Sequence, residues 1–235
     1  MPKTLPTPAA PAQDVTRGVL AIKPFRKLWN SMVFSSLGDW LGLLATTALA
    51  QQLSGGDYAK ANFAIAGVFI ARLLPAVFLG PIAGVIADKL DRRKLMVNCD
   101  ILRTALYISI PIFHNYFWLY TAMILVECIT LFWSPAKEAS VPNLVPRDKL
   151  ESANQVSLLA AYGTAPVAAA LFTFLSLFTS AFNAAFSFNV TAVDLALYAN
   201  ALSFAFAAFT IWGLREIPKG AAAKHAAETG ILKSL

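Results

Sequence analysis

Apolar residues do not recur singly along this chain; they gather into six blocks of about twenty, each closed off by a short polar or charged stretch. At 1.5 Å per helical residue, a block of that length crosses a hydrocarbon core of roughly 30 Å. The pattern predicts transmembrane helices over Leu28–Leu53, Ala61–Ala87, Leu95–His114, Phe117–Ala136, Val156–Phe178 and Ala192–Leu214. The expected fold class is an all-α membrane protein whose first partner is the lipid bilayer. Residues 1–24 are rich in Pro and Ala and lack the apolar core of a signal peptide, which predicts a disordered arm. Residues 25–214 hold the six spans, and residues 215–235 predict a polar connector.

Composition agrees with lipid as the solvent. Hydrophobic residues make up 57% of the chain and charged residues 14%, against about 45–50% and about 25% in soluble domains. The net charge of +6 acquires meaning from its placement. Lys3, Arg17, Lys23, Arg26 and Lys27 precede the first block, and Lys89, Arg92, Arg93 and Lys94 lie between the second and third. Lys137, Arg147 and Lys149 follow the fourth, and Arg215, Lys219, Lys224 and Lys233 follow the sixth. Only Lys60 falls in the alternate loops. The positive-inside rule then puts both termini in the cytosol of a multi-pass protein of the cell membrane, and the charge requires no nucleic-acid partner.

Signals of catalysis are missing. The chain has no phosphate loop, dinucleotide fingerprint, zinc-protease motif or nucleophile elbow, so no enzymatic activity, catalytic residue, metal or cofactor is expected. His114 and His225 are too far apart in sequence and setting to suggest a metal site, and Cys99 and Cys128 fall at different depths, which argues against a disulfide. A glycosylation sequon at Asn189-Val190-Thr191 is too common a pattern to carry weight.

Five ionisable residues fall within the predicted spans: Asp39, Arg72, Asp100, Arg103 and Glu127. Each costs about 2.5–3.5 kcal/mol at the centre of a membrane helix, so their presence points to pairing or to a wet cavity. Asp39 and Arg72 stand near the middle of neighbouring antiparallel helices and are placed to pair. Asp100 and Arg103, three residues apart on one helix, form a second expected pair, structural in role. In the first helix Ser31, Ser35, Gly38, Asp39, Gly42 and Thr46 recur at helical spacing and make a small, polar stripe. The fourth repeats this with Tyr120, Glu127, Thr130 and Ser134. Two readings of the stripes stand: a solvent cavity, or helix packing through small residues.

The stretch Gly80–Lys94, GPIAGVIADKLDRRK, sets a glycine-bearing helix end directly against a charged hairpin. Gly84, Asp88, Lys89, Arg92 and Arg93 resemble the signature loop of the major facilitator superfamily, with Asp91 where the general pattern has glycine. SPAKEASVPNLVPRDKLESAN (Ser134–Asn154) and the D-x-x-R of Asp100 and Arg103 are similar to its exporter branch of siderophore and macrolide efflux carriers. Some relatives there continue into a thymidylate kinase domain, but without a phosphate loop no kinase is expected here. Tyr162–Pro166 distantly resembles the antiporter motif of the fifth helix.

The resemblance implies half of a major facilitator fold, a 3+3 inverted repeat, completed by a missing C-terminal half of six helices. It implies proton-coupled efflux of a small-molecule, amphipathic substrate by alternating access. Gly80 and Gly84 would admit a neighbouring helix, and Asp88, ringed by cations, would act as a conformational latch. Helices one and four would line the cavity, which makes Asp39 and Glu127 the leading proton-coupling candidates, with Arg72, Thr46 and Tyr120 beside them. The chain's last residues resemble the start of the mid-protein connector. The alternative, open at this point, is a membrane anchor or assembly module of six spans that transports nothing.

Overall fold

The computed structural model describes residues 18–186 and 191–217. Among the described residues the long helices are, in order, α1 (Lys23–Leu53), α2 (Tyr58–Lys89), α3 (Arg92–Phe113), α4 (Tyr116–Leu144), α5 (Leu150–Gly163), α6 (Ala165–Phe186) and α7 (Ala192–Trp212), with a 3₁₀ turn over Arg147–Lys149. Among the described residues no strand occurs. Since α5 and α6 run on as one segment, six helical segments are long and apolar enough to cross a membrane. The N-terminal arm through residue 17, the connector beyond residue 217 and the sequon's Asn189 and Val190 lie outside the described residues.

Helix starts are written locally. Asp57 caps α2 by accepting from the Ala59 and Lys60 amides at 3.0 and 3.1 Å. Asp91 caps α3 through Lys94 at 3.1 Å, Asn115 caps α4 through Trp118 at 2.8 Å, and Thr191 caps α7 through Asp194 at 3.0 Å. Each oxygen satisfies an amide that the first helical turn leaves without a partner. The turn between α1 and α2 runs through Gly55 and Gly56 at φ 61° and 88°, values at which a Cβ would be strained.

Two helices outrun their apolar blocks. α1 begins at Lys23, five residues before the predicted start, and Val19 ahead of it is fully buried, so the arm ends sooner than expected. α4 continues past Ala136 to Leu144 because Ala136, Ser140, Val141 and Leu144 keep a buried face at helical spacing after the block ends. The fifth span is broken at Thr164, between α5 and α6. Pro166 has no amide hydrogen to offer the Tyr162 carbonyl, and its ring crowds that turn. The Trp40 indole of α1 donates to the Ala161 carbonyl at 2.8 Å, beside the break.

The packing follows a rule of exchange. α1 packs most extensively on α7, α2 on α4, and α3 on both α7 and α4, while α1 also lies along α5 and α6. Swapping the first three spans for the last three turns the contact of span one with span six into that of span four with span three. It likewise turns two against four into five against one, and returns three against six to itself. This exchange is the one expected of the 3+3 repeat that the sequence resemblance implies.

The interior is layered. One apolar cluster gathers Phe25, Leu28, Met96, Val97, Leu144, Ile211 and Leu214, with Val19 and Ile217 near the two ends of the described residues. A second gathers Leu41, Ala45, Tyr107, Leu119, Leu197 and Phe204 toward the opposite end of the bundle. Between them lie the buried polar residues Ser31, Ser35, Asp100, Arg103, Asn200 and Ser203. In a bilayer this puts the polar layer near mid-depth, where polar groups cost most and must bond to one another.

Candidate functional site

Three spans deliver ionisable side chains to one cleft of about 410 Å³. α1 supplies Ser36, Asp39, Trp40 and Leu43, α2 supplies Phe69 and Arg72, α4 supplies Glu127 and Thr130, and Tyr162 of α5 closes one side. Neither α3 nor α7 reaches it. Asp39, Arg72 and Glu127 are half-buried, and among the described residues none of the three forms an ion pair. The expected Asp39–Arg72 bridge is therefore absent in this conformation, although the two share the cleft. One guanidinium nitrogen of Arg72, Nη1, is buried without a hydrogen-bond partner.

Such an arrangement is costly in hydrocarbon and sustainable only where water or a polar solute enters. Aromatic faces of Trp40, Phe69 and Tyr162 line the same space as the charges. The cleft can therefore hold a molecule with both apolar and polar surface.

The two readings of the α1 stripe resolve by position. Ser31, Ser35, Gly38, Gly42 and Thr46 are buried against neighbouring helices and do not line the cleft. The Ser31 hydroxyl donates to the Ala207 carbonyl of α7 at 3.4 Å, and Gly38 and Gly42 lie where a Cβ would run into Asn200 of α7. Thr46 donates to its own helix, to the Gly42 carbonyl at 2.6 Å. Tyr120 also lies elsewhere: its ring packs on Gly67 and its hydroxyl donates to the Ala64 carbonyl at 3.3 Å, in a separate recess with Lys60 and Tyr116. Thr46 and Tyr120 are thus not part of the cleft. The stripe that faces it is Ser36, Asp39, Trp40 and Leu43, one position around the helix, and its signal was the same three- and four-residue spacing drawn from Ser36.

Asp100 and Arg103 pair at 3.6 Å with side chains 0% and 1% exposed. The Arg103 guanidinium lies between the Trp133 and Phe204 rings, 5.0 and 4.9 Å from their centroids, and donates to Ser35 at 3.3 Å. Trp133 Nε1 donates to Asp100 at 3.3 Å. One charge pair on α3 thereby joins α1, α4 and α7. Cys99 and Cys128 are free thiols.

At the charged hairpin the cations divide their work. Arg92 pairs with Asp88 at 3.7 Å and donates to the Ala139 carbonyl of α4 at 3.0 Å. Arg93 turns the other way and donates to the Trp212 carbonyl at the end of α7, where a cation suits the exposed carbonyls. Among the described residues Asp88 therefore pairs with Arg92 alone. Lys89 is exposed. Asp91, at the position the general pattern gives to glycine, is the α3 cap. Among the described residues Gly80 and Gly84 meet no neighbour: a Cβ on either would find no atom within 4 Å. Within these six spans that face of α2 stands open.

Residues 16–208 match the family described as "Transmembrane secretion effector". The chain is 31% identical over 136 residues to the uncharacterized MFS-type transporter YfiS of Bacillus subtilis, covering 57% of this chain and 31% of that protein. It is 30% identical over 149 residues to an uncharacterized MFS-type transporter of Mycobacterium tuberculosis, covering 62% and 33%. A shorter match, 31% over 87 residues, covers 33% of this chain and 25% of macrolide efflux protein A of Enterococcus faecalis. The match spans about a third of the length of the first two relatives.

Proposed function

Because the chain belongs to the transmembrane secretion effector family of major facilitator superfamily transporters, not enzymes, we propose that it forms the N-terminal half of a proton-coupled exporter of a small amphipathic solute. The observation that carries this reading is the convergence of Asp39, Arg72 and Glu127, from three spans, on one aromatic-walled cleft without forming ion pairs. Proton entry through one face protonates Asp39 or Glu127, and the altered charge shifts the balance between inward- and outward-facing states. Arg72 repels a proton from the cleft or releases one by approaching either carboxylate.

A second six-helix unit completes the site, docking on the face of α2 that Gly80 and Gly84 leave open, so that the cleft becomes an enclosed cavity between halves. Asp88 and Arg92 stabilise one of the two states at the end that bears the termini. In this reading the protein lies in the cell membrane with both termini cytosolic, as the cation bias favours. Family membership favours a carrier over a silent anchor.

The test uses the complete carrier in proteoliposomes with a radiolabelled macrolide as probe, chosen from the name of one relative. Asp39→Asn is expected to abolish efflux driven by a pH gradient while leaving macrolide exchange without a gradient intact. Efflux that follows the gradient as in the parent removes Asp39 from coupling, and Glu127→Gln is then the deciding variant. Loss of exchange as well assigns Asp39 to solute contact. No transport by the parent under either condition refutes export of this class of solute.

A further inference from the structure

On the side of the bundle away from the cleft, α3 and α7 enclose a second groove of about 410 Å³. Val97, Ile101 and Thr104 form one wall, and Ala205, Phe209 and Trp212 the other. Both walls are single helical stripes, spaced four and three along α3 and four and three along α7. No polar group is free inside it, since the Thr104 hydroxyl is committed to the Asp100 carbonyl at 2.8 Å. Ile101, Phe209 and Trp212 are exposed.

One turn before Val97 on the same α3 stripe comes Arg93. Its guanidinium carbon lies 5.8 Å from the centre of the Trp212 ring, at the groove's end nearer the termini. Among the described residues Arg93 forms no ion pair. Its neighbour Lys94 is exposed, whereas Arg92 is engaged by Asp88. An apolar trough two helical turns long, closed at one end by an aromatic ring and a cation that bonds a helix-end carbonyl but no carboxylate, is complementary to part of an acyl chain joined to an anion. Indole rings and arginines at the ends of spans occupy the headgroup level of a bilayer. Because α3 and α7 contribute nothing to the cleft, this groove lies apart from the site that a second six-helix unit is proposed to complete.

We propose that the α3–α7 groove is a binding site for one anionic glycerophospholipid, with an acyl chain along Val97, Ile101 and Phe209 and its phosphate on Arg93. The site is separate from the transport cleft and touches the charged hairpin directly. Lipid charge is thereby tied to the position of the α2–α3 turn.

The chain in lipid nanodiscs provides the test, with Trp212 as reporter. Phosphatidylglycerol or phosphatidylcholine brominated in the acyl chain quenches indole fluorescence on contact, and the signal of Trp212→Phe is subtracted to isolate residue 212. Half-maximal quenching is expected at about fivefold lower mole fraction of the phosphatidylglycerol, the effect of one basic side chain near an anionic lipid. Arg93→Gln should erase that difference and Arg93→Lys should keep it. Ala205→Phe, which fills the groove and leaves Arg93 in place, should erase it too and decides the matter if Arg93→Gln does not fold. Equal quenching by the two lipids, or a preference that survives either Arg93→Gln or Ala205→Phe, overturns the proposal.

Discussion

Replacing Gly42 with alanine tests whether the small-residue stripe of α1 is a packing surface. A methyl group there would press on the Asn200 amide of α7 and would lie 2.8 and 3.0 Å from the hydroxyl and ring carbon of Tyr107. Neither neighbour has room to yield. Asn200 and Tyr107 are both fully buried, and the Tyr107 ring is stacked on Phe204 with centroids 5.6 Å apart. Overpacking of this kind costs about 1–3 kcal/mol, and the helix preference of alanine over glycine returns at most about 1 kcal/mol. The net loss is about 1 kcal/mol, rising to about 2 if Tyr107 cannot shift. Gly84→Ala is the control, because with no atom within 4 Å of the added carbon only the favourable helix contribution remains. Thermal unfolding in detergent, followed by a thiol-reactive dye that reports exposure of the buried Cys99, reads both variants against the parent. At about 2–4 °C per kcal/mol for a chain of this size, and with Gly84→Ala gaining up to about 1 kcal/mol, Gly42→Ala should melt about 4–12 °C below Gly84→Ala. A Gly42→Ala protein as stable as Gly84→Ala would refute the packing assignment and return the stripe to the cavity.

Breaking the buried pair with Arg103→Met should cost about 3–5 kcal/mol, since Asp100 is then left in the core without its cation partner. Adding Asp100→Leu to the same protein should recover a large part of that loss in the same unfolding assay, and a double variant less stable than the single one would contradict it. Single cysteines at Asp57 and Arg147, in a background with Cys99 and Cys128 replaced by serine, should react with an impermeant maleimide from opposite faces of a sealed vesicle. Labelling from the same face would overturn the six-span topology.

The spans were legible because burial in lipid demands only length and apolarity, and both are local properties of a block such as Ala61–Ala87. The helix caps at Asp57, Asp91 and Asn115 were equally local. The overhang of α4 was harder to see. Its last turns are held by the packing of Ala136, Ser140 and Val141 against other helices, which leaves little trace in mean apolarity. Asp100 and Arg103 could be paired from spacing alone, yet their third and fourth partners, Trp133 and Phe204, come from helices distant in the chain.

At the site, the sequence singled out the ionisable residues but not their company. A charge inside a span is conspicuous because it is expensive, so Asp39, Arg72 and Glu127 stand out in the bare string of letters. Which hydroxyl stands beside them is a question of helix rotation, about 100° per residue, set by what each face meets. Ser35 and Ser36 are adjacent in sequence, yet Ser35 receives Arg103 in the core while Ser36 lines the cleft. Likewise Arg92 and Arg93 read as one cluster, and packing sends one to α4 and the other to α7. Hydropathy and charge bias along the chain are sums over neighbours and survive without a third dimension. The facing of a single side chain depends on contacts between residues 47 to 119 positions apart, and those exist only once the bundle has closed.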